Sequence, residues 1–376
     1  MADAGSKAHM LVAGASGVIG SAAVGHFARK ADWCVTALSR RRPAIAEDAA
    51  FTHVSADLQD THGCAQLVEK LPPVTHLVYA AVSEAPGLVT GWRDASLIQA
   101  NGRMYRNLLE PIAATGTLRH VSILQGGKAY GAHMHPVTVP LRESQPRDDH
   151  ANFYWLHEDA TRELAARHGF AFTIWRPQIL LGTAPGAAMN PVAAIGAYAA
   201  LCHERGLPFS LPGQSGALWE MVDADLMAQA FDWAADNSAA AGETYNITNG
   251  DIFVLRHAWP QLAGALGLDQ TGEAPPNLVR FFAENANQQA WVRMAEREKL
   301  KIGSLNHLLG ESHHYFDLLT GSRVAQKPAP ALVSTIRIRQ AGFAECCDSL
   351  HSLLRQIAAM VDLGLLPPSC LPMPLR

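Results

Sequence analysis

The stretch His9-Met-Leu-Val-Ala-Gly-Ala-Ser-Gly-Val-Ile-Gly20 constrains this chain more than any other. Met10 to Ala13 is a short apolar run that reads as a buried strand, and an amphipathic helix is expected to begin near Val18. Between them stand Gly14, Gly17 and Gly20, spaced G-x-x-G-x-x-G. Gly14 allows a tight turn, Gly17 lets backbone amides reach a pyrophosphate, and Gly20 lets the helix pack close to the strand. The helix N-terminus adds unpaired N–H groups and partial positive charge. A glycine-rich turn without a ligand would share the spacing but has no need of this strand–turn–helix order. The expected phosphate cradle is therefore Gly14, Ser16, Gly17, Val18, Ile19 and Gly20.

The end of the second predicted strand, Trp33–Leu38, indicates which dinucleotide suits the site. An NAD site calls for an acid about twenty residues past the glycines, to hold the ribose 2′-hydroxyl. Here the chain reads Ser39-Arg40-Arg41-Arg42-Pro43. A guanidinium fork suits a 2′-phosphate, so Ser39, Arg40 and Arg41 point to NADPH/NADP+.

Strand-like and helix-like segments alternate onward. Phe51–Val54 is a third strand, followed by Asp57, placed to accept from an adenine amino group, and Leu58. Thr75–Ala80 is a fourth, and its exit carries the small residues Ala80 and Ala81. A helix is predicted over Trp92–Thr115, a fifth strand over Leu118–Leu124 and a sixth over Phe170–Trp175. Further helices are expected near Asn190–Glu204 and Ala224–Ala235, with a strand at Glu243–Ile247. This alternation argues an α/β fold, a Rossmann-type doubly wound parallel sheet with a smaller, mainly helical C-terminal substrate lobe. The expected division is 1–180 for the NADP(H)-binding domain, with strand and helix returns around 217–250, and 181–216 plus 251–376 for the substrate lobe. The proline-rich end from Leu365 should lie extended along the surface.

A formal net charge of −4 gives no electrostatic case for nucleic acid or an anionic membrane. Six cysteines without C-x-x-C or zinc-ligand spacing read as reduced thiols of a cytoplasmic protein. The glycine-interrupted run from Met10 is neither a signal peptide nor a membrane span, and no metal is expected. The oligomeric state is left open, with a homodimer allowed.

Hydride transfer to a carbonyl compound needs a donor for the oxygen that gains charge. Short-chain dehydrogenases use Tyr with Lys four residues later. Position i+4 from the seven tyrosines is Ser83, Leu109, Met134, Glu158, Cys202, Asn249 or Leu319, never Lys. Between Lys70 and Lys299 there is a single lysine, Lys128, in Gln125-Gly-Gly-Lys-Ala-Tyr-Gly131 just past the fifth strand. Ligands of such sheets sit at that edge. Tyr154 opens the next helix in Asn152-Phe-Tyr-Trp-Leu-His-Glu-Asp159, and His157 one turn on reads as a solvated helix-surface residue.

These residues, with Asn101-Gly-Arg-Met-Tyr-Arg-Asn107, Arg176-Pro-Gln-Ile-Leu-Leu-Gly182 and Tyr245-Asn-Ile-Thr-Asn-Gly-Asp251, resemble the progesterone 5β-reductase/iridoid synthase-like branch of the short-chain dehydrogenase/reductase superfamily. Asp223-Ala-Asp-Leu226 and Ile338-Arg-Gln-Ala-Gly-Phe343 carry the resemblance nearly to the C-terminus. Two departures stand out. The family usually has Lys-His-Tyr at Lys128-Ala129-Tyr130, and Tyr-Tyr at Tyr154-Trp155.

The resemblance implies NADPH-dependent reduction of an activated C=C bond by 1,4-addition of hydride to an enone or enal. Tyr154 would donate to the enolate oxygen. Lys128 would hold the nicotinamide ribose or complete the oxyanion site itself, and the sequence leaves both roles open. Ala80, Ala81, Gln125, Tyr154, Pro177 and Ile179 join the expected cofactor contacts, and Phe153, Trp155 and Phe343 the expected substrate pocket. The aromatic second half, with Trp219, Phe281, Phe282 and Trp291, suggests an apolar substrate. An extended carbonyl reductase, a sugar-nucleotide epimerase and a non-catalytic NADP(H)-sensing protein are the alternatives.

Overall fold

The computed structural model describes residues 7–45, 48–84, 91–213, 216, 218–322 and 330–374. In chain order the strands are β1 (Ala8–Ala13), β2 (Trp33–Leu38), β3 (Thr52–Val54), β4 (His76–Tyr79), β5 (His120–Leu124), β6 (Ala171–Pro177), β7 (Ile179–Leu181), β8 (Leu218–Trp219), β9 (Met221–Asp223), β10 (Glu243–Ile247) and β11 (Phe253–Val254). The first six helices are α1 (Val18–Ala28), α2 (Thr61–Lys70), α3 (Ala95–Ala114), α4 (Phe153–His168), α5 (Val192–Arg205) and α6 (Ala224–Ala235).

The chain forms two compact units. Met1–Pro177, Ala224–Ile247 and Val333–Glu345 make the first; Gln178–Asp223, Thr248–Leu332 and Cys346–Arg376 make the second. Two longer segments, besides the short stretches 178–180 and 248–250, fall on the other side of the expected division. Residues 218–223 join the second unit because β9 pairs with β7. Residues 333–345 join the first because Val333 bridges to Leu141 and Asn246 Nδ2 donates to the Ser334 carbonyl.

In the first unit seven strands pair in the order β10-β6-β5-β4-β1-β2-β3, all parallel. The runs of β1 and β4 are apolar on both faces because helices cover both. α1 packs with α6, while α2, α3 and α4 pack in series and bury Leu108, Leu109, Ile112 and Leu164 with Leu77 and Ile123. The chain runs from β1 to β2 on one side and returns to β4 on the other. The crevice at that reversal is where such sheets take ligands.

The second unit is mainly helical, with the short pairs β7–β9 and β8–β11. Trp219, Phe281, Phe282 and Trp291 are buried in its core around α5. Its C-terminal end corrects the expected surface run. Leu365, Leu366 and Cys370 are buried, the Leu366 side chain lies against Gly196 of α5, and only from Leu371 are apolar residues exposed. Among the described residues no helix is long and apolar enough to cross a membrane.

Candidate active site

Each glycine of the β1–α1 turn has a steric reason to be there. Gly14 has φ +80°, and a Cβ on it would lie 2.5 Å from the Ala80 carbonyl carbon and the Ala81 nitrogen. The turn is thus pressed against the exit of β4. A Cβ on Gly20 would lie 2.2 Å from the Gly14 oxygen, so α1 meets the turn backbone to backbone. The Gly17 N–H donates to the Gly14 carbonyl, 3.0 Å. α1 has no side-chain cap and no acid in its first turn, so nothing in the helix offsets its positive end. Ser16 is half-buried beside the buried Val18 and Ile19. This cradle fits a pyrophosphate.

Past β2, Ser39 is buried and its hydroxyl donates to the Arg41 carbonyl, 2.6 Å. Arg40, Arg41 and Arg42 are exposed, Arg42 with its guanidinium 4.7 Å over the Phe51 ring. Leu58 is buried; Asp57 is exposed, and its carboxylate accepts from the Gln59 N–H at 3.0 Å, closing its own turn.

Past the exit of β4 a cleft of about 390 Å³, partly open to solvent, is lined by Ser83, Glu84, Trp92, Asn101, Lys128, Asn152 and Phe153, with apolar neighbours. Its walls come from separate segments. Asn101 on α3 fixes the β4 exit: its Oδ1 accepts from the Ser83 N–H (2.7 Å), and its Nδ2 donates to the Ser83 carbonyl (2.9 Å). A short 3-10 turn at Gly127–Tyr130 follows β5 and carries Lys128. Asn152 caps α4 by accepting from the Tyr154 N–H at 3.1 Å.

Lys128 Nζ lies 4.3 Å above the Trp92 ring and 5.7 Å from the centre of the Tyr154 ring. Burial lowers the ammonium to about 8, against an opposing pull from Glu84. Tyr154 is buried on the first turn of α4, and a Cβ on Gly126 would lie 3.4 Å from its hydroxyl and 3.3 Å from the Pro177 carbonyl. That hydroxyl therefore stands over the backbone at the exit of β5. Tyr130 is different: its hydroxyl donates to Asn246 Oδ1 at 2.6 Å within the buried interior. Lys128 and Tyr154 are thus brought together, with Phe153 beside them.

Other expected residues lie elsewhere. Gln125 is buried, accepting from Arg176 Nε (2.8 Å) and donating to Glu158 (3.0 Å), so its side chain ties β6 to α4. Ile179 opens β7 in the second unit, half-buried. Trp155 turns away from the cleft: its Nε1 donates to the His150 carbonyl (3.0 Å) and Arg147 lies over its ring. Phe343 does not line this cleft; it is buried against Trp233, ring centres 5.7 Å apart, in the first unit. His157 is not solvated. It is buried among Tyr79, Tyr105 and Phe153, its Nε2 donates to the Asn101 carbonyl (3.1 Å), and burial lowers it to about 4. Glu84, Trp92 and Asn152 were not singled out by sequence. Asn152 was findable, since Asn immediately before a predicted helix is a cap. Trp92 carries no local signal. Among the described residues no group of three or more His, Cys, Asp or Glu is placed to hold a metal.

Residues 10–248 match the model of the NAD dependent epimerase/dehydratase family. The chain is 30% identical over 292 residues to the 3-oxo-Delta(4,5)-steroid 5-beta-reductase of Arabidopsis thaliana, covering 73% of each. It is 32% identical to an (S)-8-oxocitronellyl enol synthase of Nepeta cataria, over 64% of this chain and 62% of that protein. The chain belongs to the progesterone 5β-reductase/iridoid synthase-like branch of that family. This branch membership extends over most of the chain, since the enol synthase of Antirrhinum majus aligns with 89% of it at 29% identity. The chain spans about three-fifths of the length of the Nepeta relative. Two solved structures share the fold: a UDP-N-acetylglucosamine 4-epimerase from Methanobrevibacter ruminantium (TM-score 0.65, 14% identity, 95% of this chain and 99% of that one) and RMD from Pseudomonas aeruginosa complexed with NADPH (TM-score 0.63, 17% identity, 95% and 98%).

Proposed function

We propose that this protein reduces the activated C=C bond of an apolar enone or enal with NADPH. The observation that carries the reading is the meeting of Lys128 and Tyr154 at the exit of β5, in a chain with no Tyr-x-x-x-Lys pair. The names of the relatives, a steroid 5-beta-reductase and 8-oxocitronellyl enol synthases, support it.

The cofactor's groups have a fitting cradle in the Gly14–Gly20 turn and the uncapped α1 N-terminus, with Arg40 and Arg41 for the 2′-phosphate and Ala80 and Ala81 along the sheet edge. NADPH, when bound, supplies the hydride. The protein's part is to hold the substrate and stabilise charge. As negative charge grows on the substrate's carbonyl oxygen, the Tyr154 hydroxyl donates to it. Such a preorganised donor is worth about 3 kcal/mol. Lys128, while protonated, adds positive charge to the same cleft, on the ribose or on that oxygen. Phe153, Trp92 and the apolar neighbours exclude water and favour an apolar substrate. Six unpaired thiols fit a reducing compartment, and a cytoplasmic location is part of the proposal.

NADPH oxidation with a cyclic enone, an enal, a saturated ketone and a sugar nucleotide tests this directly. The enone or enal should give the highest kcat/KM. Preference for the sugar nucleotide or the saturated ketone would overturn the reading.

A further inference from the structure

The loop between the Gly127–Tyr130 turn and α4 ends in an ordered chain of polar groups outside the proposed chemistry. Asp148 accepts from His135 Nε2 and from His150 Nδ1, each at 2.8 Å. The His150 side chain is only 6% exposed, whereas His135 is half-exposed. On its other side His150 Nε2 lies 3.2 Å from Asn152 Nδ2. Asn152 Oδ1 in turn accepts from the Tyr154 N–H. The His150 carbonyl also takes the Trp155 indole N–H.

The chemistry allows one assignment. Burial pushes the Asp148 carboxyl up, but the two imidazoles more than offset it and hold it below its ordinary value. A carboxylate only accepts, so His150 Nδ1 carries the hydrogen. With Nδ1 donating, Nε2 faces the Asn152 amide as an acceptor, and that amide can only donate from Nδ2. Both ends of the Asn152 amide are thus committed, one to His150 and one to the cap of α4. Without the His150 acceptor the Asn152 amide would be free to flip, and its oxygen would then leave the Tyr154 N–H.

We infer that His150, oriented by Asp148, is a positioning residue: its ring accepts from Asn152, locks it as the cap of α4 and so seats the turn bearing Phe153 and Tyr154 beside Lys128. The inference rests on the ene-reductase reading for its kinetic consequence, not for its structural one. The groups facing His150 are few. Asp148 comes from its own loop, with His135 behind it. His133, from the turn after Tyr130, has its ring 4.9 Å away and is held neutral by burial, which lowers it to about 4; His150, Lys128 and Arg93 add to that. From α4 comes the uncharged Trp155 ring, 6.0 Å away.

The test compares wild type, His150→Gln and His150→Phe in the full chain at one pH. Glutamine can donate to Asp148 and accept from Asn152; phenylalanine can do neither. Two readouts are taken: kcat and KM with NADPH and a cyclic enone, and amide hydrogen exchange over residues 152–157. His150→Gln should keep Tyr154 protection and kcat close to wild type. His150→Phe should lower both by about fivefold, the factor a cap of this kind contributes, with KM for NADPH unchanged. Wild-type protection at Tyr154 in His150→Phe, or losses in His150→Gln equal to those in His150→Phe, would overturn the inference. If no enone is reduced by any form, the functional reading has failed and the exchange data alone decide the structural one.

Discussion

Lys128 Nζ stands 4.3 Å above the Trp92 indole and 5.7 Å from the centre of the Tyr154 ring, so one amine faces two aromatic surfaces in a half-closed cleft. The rings offset part of the lost hydration through cation–π attraction. Burial nevertheless brings the ammonium down to about 8 from 10.5. If the ammonium assists the reaction, kcat/KM should fall as pH rises through about 8. Lys128→Arg, which keeps its charge, should move that limb to higher pH. The stability effect has the opposite sense. Between about 8 and 10.5 the unfolded chain holds the proton that the folded chain has lost, so stability rises with pH across that window. A pH–rate profile and urea midpoints at matched pH separate the two effects.

Tyr154→Phe removes one hydroxyl and little volume. NADPH affinity, read by fluorescence titration, should persist, while kcat drops about a hundredfold if the hydroxyl serves the oxyanion. An unchanged kcat, with chemistry shown to limit the rate, would remove Tyr154 from the mechanism.

Arg40 and Arg41 stand exposed past β2, where an acid would favour NAD. Changing both to Ala should raise KM for NADPH by roughly 1.5–3 kcal/mol per lost charge-assisted bond, with KM for NADH nearly unchanged. Equal use of both cofactors by wild type would sink the assignment.

Gly20→Ala would put a methyl 2.2 Å from the Gly14 oxygen, and backbone on both sides leaves it no room. The expected cost is about 1–3 kcal/mol of stability, seen as a lower Tm, with NADPH affinity lost alongside as the turn moves. Wild-type Tm and affinity would mean that the helix shifts freely.

Five imidazoles lowered by burial, those of His9, His76, His120, His133 and His157, set the acid limit of the fold. Burial lowers His120 to about 3 and His157 and His133 to about 4. Each ring is neutral in both states above about 6.5, whereas below that only the unfolded chain takes up protons. Stability should therefore decline as pH falls from about 6.5 towards 4, and His157→Gln should make that decline shallower. Urea midpoints across that range check the slope.

The β1–α1 glycine turn was legible because its physics is local. Strand, turn and helix occupy a dozen consecutive residues, and a glycine that must admit a neighbouring backbone announces itself without its neighbours. The same holds for β2 and α6, whose Trp33–Leu38 and Ala224–Ala235 bounds follow from short-range pattern. The cleft was legible only in part. Lys128 and Tyr154 stood out by residue type and motif, but Ser83, Trp92 and Asn101 reach it from a loop, a short turn and α3, and only the strand order β5-β4-β1 brings those segments together. Burial was decided last, and by tertiary structure alone. His157 sits on a helix of mixed polarity and Cys370 in a proline-rich run, yet Tyr79 and Tyr105 enclose the first and α5 packs on the second unit's C-terminal turn. Whether a side chain meets water depends on what folds across it, and residues far away in the chain supply that partner.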